Sequence, residues 1–238
     1  MDTDFAIMIA ISAFAGAGFV WLTRKIQFFS LNTDNEKQVY AASRVKDCKW
    51  PSDIHQLGIG ITYMKDVTVF LLALFQKFFR DTKSDRPLVA LSGLSNCASA
   101  MLIFLIAKNY WNSDIGLLLG ILYLASIWPW QVSLFGGHVN VATILFLAAV
   151  LSVQTASMFP APALGFLISG FILCLSMFAS ASATKYLPLF FASAFYENYK
   201  LANEFLDPAK IKFSFAVMVL LIISFLAAKL YYKKIVTS

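Results

Sequence analysis

The densest chemistry in this 238-residue chain stands at Asp34-Asn35-Glu36, two carboxylates one residue apart in a polar stretch. One carboxylate of such a pair can take a proton from an attacking hydroxyl while the other orients a nucleophile or a metal. The plain alternative is a solvated helix start, with Asp34 or Thr33 as its cap. A second polar cluster, Gly136-Gly137-His138-Val139-Asn140, ends a long apolar run. Its imidazole can ligate a metal, hydrogen-bond an anionic substrate, or simply sit at an interfacial helix end. Lys185, between Thr184 and Tyr186, and Lys65, two residues after Tyr63, each stand at a segment end. Either ammonium can snorkel to lipid headgroups or hold a lipid-linked phosphate. Trp128-Pro129-Trp130 reads as an interfacial aromatic anchor. Cys48, Cys97 and Cys174 are scattered without ligand-like spacing, so they imply neither a disulfide framework nor a zinc site. No P-loop, Ser/His/Asp nucleophile set or HExxH pattern occurs.

The elements that must position these residues are built for lipid. Hydrophobic residues make up 59% of the chain and charged residues 13%, about half the share expected of a soluble domain. Mean hydropathy is +0.72. These proportions exclude disorder, and they exclude a soluble enzyme or nucleic-acid-binding module despite a net charge of +6. The basic excess sits in loops, where it suits anionic headgroups or phosphate.

A crossing helix needs about 20 apolar residues with its backbone satisfied internally. Phe5 to Leu22 meets this and stops at Arg24-Lys25. No basic region precedes it, so it reads as a retained anchor and not a secretory signal. Residues 23 to 64 are polar, with a short helix expected over Asp34 to Val45. Val67 to Phe79 is too short to span, and Lys65, Lys77 and Arg80 flank it, so it reads as an interfacial amphipathic helix. Five stronger segments follow: Pro87 to Ala107, Ile115 to Leu134, Val141 to Ala156, Ala163 to Thr184 and Phe213 to Leu230. Tyr186 to Tyr199 is a further candidate, weakened by Pro188. The expectation is an all-α, multi-pass integral membrane protein with about six or seven transmembrane helices. It forms one membrane domain over residues 1–238, with 23–86 as a loop between the first two spans.

In order, these pieces resemble the amino-terminal half of the C-type (GT-C) membrane glycosyltransferases, closest to the protein O-mannosyltransferase and lipid A aminoarabinose transferase branch. The family's acidic motif after the first helix is similar to Thr33-Asp34-Asn35-Glu36 with Tyr40 and Ala41. Its Pro-containing stretch, Gly-x-x-Tyr and Lys-Pro pair look like Trp50-Pro51 and Gly60-Ile61-Thr62-Tyr63-Met64-Lys65, with Asp66 where proline is usual. Its amphipathic segment and the Arg opening a long helix resemble Val67 to Phe79 and Arg86. A polar turn, often acidic, is similar to Gly137-His138-Val139-Asn140, and Thr-Lys-Gly to Thr184-Lys185-Tyr186. The likeness covers roughly residues 5 to 200.

The resemblance implies inverting sugar transfer from a polyprenyl-phosphate donor to an acceptor at the outer face. Asp34 is then the general base with Glu36 assisting; Lys65, Arg86 and Lys185 bind the phosphate; Tyr63, His138 and Asn140 line the site. A divalent metal near Asp34 is left open. The implied partners are the lipid-linked donor and membrane lipids, with no nucleic acid. The family continues into more helices and often a soluble domain, so a missing carboxy-terminal region or a partner subunit is also implied. The membrane would be the inner or cell membrane in a bacterium. The competing reading is a non-catalytic polytopic membrane protein, such as a translocation component or assembly subunit. Eleven Lys/Arg between residues 23 and 86 oppose an outer location for that loop. The short Val67–Phe79 run favours it, because a non-crossing segment leaves Asp34, Lys65, Arg86, His138 and Lys185 on one face.

Overall fold

The structure, a computed structural model, describes residues 3–25, 38–43, 67–135, 137–159, 161–204 and 208–237. Among the described residues every regular element is helical, and no strand occurs. In chain order these are α1 (Thr3–Lys25), α2 (38–43), α3 (Val67–Phe79), α4 (Arg86–Tyr110), α5 (Ser113–Ala125) and α6 (Ile127–Phe135). They continue with α7 (Gly137–Gln154), α8 (Pro162–Ala179), α9 (Leu187–Glu204) and α10 (Pro208–Thr237). The helix expected over Asp34 to Val45 is described only over 38–43.

Helices α1 and α4 are long and apolar enough to cross a membrane, and α5 with α6 make a third span if the bent pair is counted as one. Helices α3, α7, α8 and α10 carry shorter apolar stretches. Large apolar side chains are found both inside, as with Phe104, Phe166 and Phe190, and fully on the outside, where a soluble protein seldom leaves so many. Phe14 is 83% and Phe78 78% exposed, whereas Ser92, Asn96 and Ser133 are completely buried. The exposed large apolar side chains are compatible with membrane association.

The chain divides into two compact units, Met1–Ile144 with Phe178–Ser180, and Leu145–Met177 with Ala181–Ser238. In the first, Met8, Ala100 and Phe104 form the core, with Phe5, Leu117 and Tyr123 packed against them. Helices α4 and α5 form a tight hairpin. Asn112 in the connection takes extended backbone and its Oδ1 accepts from the Ile115 N–H at 2.9 Å, capping α5. Gly116 and Gly120, one turn apart, let α5 approach α4 backbone to backbone. A Cβ on Gly116 would stand 2.7 Å from the Phe104 carbonyl oxygen, and one on Gly120 would stand 2.8 Å from Met8 Sδ. The main-chain oxygen cannot swing aside, so Gly116→Ala is expected to cost about 1–3 kcal/mol, the usual range for overpacking. Thermal unfolding in detergent measures it.

The segment read as one span, Ile115 to Leu134, is broken at Ser126, and the two halves bend by 46°. Pro129 explains the break. It has no N–H to give the Ala125 carbonyl, and its ring crowds that oxygen, so the helix stops and restarts with proline in the first turn. Ser126 closes α5 by donating its N–H to the Leu122 and Tyr123 carbonyls, and Trp130 Nε1 donates to the Leu124 carbonyl at 2.8 Å. The Trp128-Pro129-Trp130 triplet is therefore a corner as well as an aromatic site.

Helix α3 covers the residues expected of it. Phe70, Leu74 and Phe78 point outward, while Thr68, Val69, Leu72 and Gln76 are buried. It ends abruptly: the Asp81 N–H donates to the Gln76 carbonyl and the Arg80 N–H to the Lys77 carbonyl, the two bonds of a Schellman cap. The cap needs a left-handed residue, and Arg80 supplies it at φ 52°.

In the second unit, Ser169 Oγ donates to the Ala149 carbonyl at 2.8 Å, tying α8 to the later part of α7. Phe166, Phe195 and Phe215 bring α8, α9 and α10 together. Pro188, which weakened the sequence reading of α9, falls in that helix's first turn, where no intrahelical N–H is lost.

Candidate functional site

The first unit contains a buried polar network built from four helices. Ser92, Ser95, Asn96 and Ser99 lie at i, i+3, i+4 and i+7 on α4, so they share one face, and all four are buried. Asn96 Nδ2 donates to the Pro129 carbonyl and to Ser133 Oγ, each at 2.8 Å. Asn140 Nδ2, from α7, donates to Ser92 Oγ at 2.7 Å, Ser133 Oγ at 3.0 Å and the same Pro129 carbonyl at 3.2 Å. Ser133 Oγ also donates to that carbonyl at 3.0 Å, and Tyr123 reaches Asn96 Oδ1 at 3.5 Å. A single carbonyl at the start of α6 thus gathers donors from α4, α6 and α7.

Asn140 shares its N–H groups among these three oxygens, and a carboxylate in its place would have no proton to give the Pro129 carbonyl. Asn140, 3% exposed, joins three helices.

His138 stands two residues earlier on α7 and is half-buried. Gln38 Nε2 on α2 lies 3.0 Å from its Nδ1. With the amide donating, the ring proton sits on Nε2. Gln76 of α3 completes the contact, its Nε2 donating to the Val39 carbonyl of α2 at 3.0 Å. Helix α2 is therefore held between α3 and the start of α7. Ser92, bonded to Asn140, lies six residues into α4 from Arg86, about 9 Å along the axis. The Arg86 end of α4, the His138 end of α7 and α2 consequently cluster at one end of the unit.

The turn before Arg86 is tightly ordered. Asp81 Oδ1 accepts from the backbone N–H groups of Lys83 and Ser84, and the Ser84 hydroxyl donates to Oδ2. Burial alone pushes the Asp81 carboxyl up, but these bonds and the Arg86 charge outweigh it and hold the carboxyl below its ordinary value.

Of the residues singled out from the sequence, Asp34, Glu36, Tyr63 and Lys65 lie outside the described residues. Arg86, His138 and Asn140 belong to the first unit and Lys185 to the second. Lys185 is exposed in the 3₁₀ turn Ala181–Tyr186, and its neighbour Tyr186 packs on Phe146 at 5.6 Å between ring centres. Among the described residues no three His, Cys, Asp or Glu side chains gather as a metal site would require. The network itself is neutral, made of amides, hydroxyls and a carbonyl, and it ties helices together. Of its members the sequence singled out only Asn140; the signal for the others was the helical spacing of Ser92, Ser95, Asn96 and Ser99 inside an apolar segment. Compared with protein-family models, curated proteins and solved structures, the chain matches none.

Proposed function

We propose that the chain is the membrane core of a glycosyltransferase that moves a sugar from a polyprenyl-phosphate donor to an acceptor at the outer face. In this reading α1, α4, the bent α5–α6 pair, α7, α8 and α10 cross the bilayer, α9 is a seventh crossing, and α3 lies in the interface. The acceptor oxygen attacks the anomeric carbon opposite the phosphate, which leaves with the bonding pair. Asp34 takes the hydroxyl proton and Glu36 supports it. Lys65, Arg86 and Lys185 hold the departing phosphate through charge-assisted hydrogen bonds, strongest where water is scarce. Tyr63 and His138 line the cavity, and Asn140 fixes the helix end that carries His138.

One observation carries the reading. The 3.0 Å contact between Gln38 and His138 joins residues one hundred positions apart. Glu36 is two residues before Gln38 in the sequence and Asp34 four, and Gln38 contacts the helix end that the resemblance assigns to the site. The Ser92–Asn140 bond brings the Arg86 end of α4 to the same place.

The test is transfer from a labelled polyprenyl-phosphate sugar in membranes containing the chain, with any adjoining sequence restored. Lys185→Met keeps the apolar stem and removes the charge. Loss of donor binding with normal membrane insertion is expected. Unchanged binding in that variant, together with no transfer by the wild type, would give the place to the translocation or assembly reading.

A further inference from the structure

The C-terminal end of α3 carries a feature that the transferase reading does not use. Lys77, Arg80 and Lys83 are all exposed, and among the described residues their side chains make no ion pair. Asp81, the nearest acid, has both carboxylate oxygens engaged by the turn that follows. Between residues 77 and 86 four cations, Lys77, Arg80, Lys83 and Arg86, face two acids, Asp81 and Asp85. Immediately beside them runs the outward apolar stripe Phe70, Leu74 and Phe78, exposed by 43%, 65% and 78%. Apolar surface therefore gives way to positive charge along one helix.

Arg80 adds an independent observation. It occupies the left-handed cap position at φ 52°, which glycine takes without a Cβ clash and which costs other residues on the order of 1–2 kcal/mol. A strained residue points to a use for its side chain. Lys77 in the last turn also offsets the helix dipole, but Arg80 lies beyond the helix and could be glycine for capping alone.

We infer that the Lys77–Arg80–Lys83 arc binds the phosphates of anionic phospholipids in the surrounding bilayer, with Phe70, Leu74 and Phe78 set among their acyl chains. The arc is a boundary-lipid site, separate from the cations assigned to the sugar donor. Its occupant is a bilayer lipid, because the apolar stripe adjoining the cations suits acyl chains and gives a free anion nothing.

The experiment uses the full chain reconstituted in phosphatidylcholine vesicles containing a minority of phosphatidylglycerol. Cys48, Cys97 and Cys174 are replaced by alanine, and Leu74→Cys carries a fluorophore. Quenching by spin-labelled phosphatidylglycerol is compared with quenching by spin-labelled phosphatidylcholine. The anionic lipid should quench more strongly, and its local preference should fall about fivefold for each of Arg80→Gly and Lys77→Gln, the ratio expected of one basic side chain at an anionic surface. Arg80→Lys should retain it. Arg80→Gly should unfold no earlier than wild type, since glycine accepts the cap geometry, so loss of preference there is not loss of fold. Equal quenching by both lipids, or a preference indifferent to these substitutions, would overturn the inference. Displacement by millimolar inorganic phosphate would also overturn it, by showing a site for soluble phosphate.

Discussion

Replacing Asp34 by asparagine is expected to reduce sugar transfer by about 100- to 10,000-fold, the usual contribution of a general base. The substitution keeps the side chain's shape and most of its hydrogen bonding, and removes only the capacity to accept a proton. Expression, membrane insertion and unfolding temperature should therefore stay at wild-type values while turnover collapses. Glu36→Gln should cost less, because its part is supportive. The base must remain ionised, and the cations Lys65 and Arg86 assigned to the same site favour the charged form. The measurement is the rate of label transfer from polyprenyl-phosphate sugar at saturating acceptor. Full activity in Asp34→Asn would remove this carboxylate from the proposed chemistry.

Asn140→Ala is expected to produce the largest structural loss. The asparagine distributes two N–H bonds among Ser92 Oγ, Ser133 Oγ and the Pro129 carbonyl. Hydrogen bonds between helices in lipid average about 0.6 kcal/mol and reach about 1.7. Three such contacts, together with the cavity left by the side chain, amount to about 2–4 kcal/mol. Asn140→Asp should be worse, since a carboxylate cannot donate to the Pro129 carbonyl and would bury a charge with no cation shown beside it among the described residues. Unfolding in detergent, followed by helix content, checks both. Asn96 shares Ser133 and the Pro129 carbonyl with Asn140. The double alanine variant should therefore cost less than the sum of its parts, because the second deletion removes partners the first has already orphaned. Strict additivity would mean that the two amides act as separate bolts and that no common network exists.

Much of the helical layout was legible because hydropathy reads length and interruption well. Lys25 ends α1, the Arg86-Pro87 pair opens α4, and the thirteen residues of α3 match the segment read from sequence. The break at Ser126 was not read, although its cause was in view. Pro129 acts on the backbone three residues upstream, whereas a hydropathy window sees only that Ile, Leu, Trp and Phe continue across it. Pro188, the second residue of α9, favours a helix start, and α9 is not among the helices long and apolar enough to cross a membrane. The polar stripe of α4 was hidden for another reason: serine and asparagine lower a window average only slightly, and their meaning lies in angular spacing. The pairing of Gln38 with His138 was beyond reach, because nothing local in either segment encodes a partner one hundred residues away. Of the groups at this end of the first unit, the sequence singled out Arg86, His138 and Asn140 but not Asn96, Ser92 and Ser133, which bond with Asn140 or share its partners.

The two-residue connection between α4 and α5 has a consequence for the order in which the first unit assembles. Closing that hairpin restricts almost no chain, whereas seating Met8 of α1 against Gly120, or Gln38 against His138, must close loops of about a hundred residues, at an entropic cost that rises with the logarithm of loop length. The α4–α5 pair is thus expected to form early. The amide clamp at Pro129 and the docking of α2 then come late, added to a hairpin that already holds its shape. A lesion in the glycine seam should consequently slow maturation of newly made chains, and a lesion at Asn140 should shorten the lifetime of finished ones.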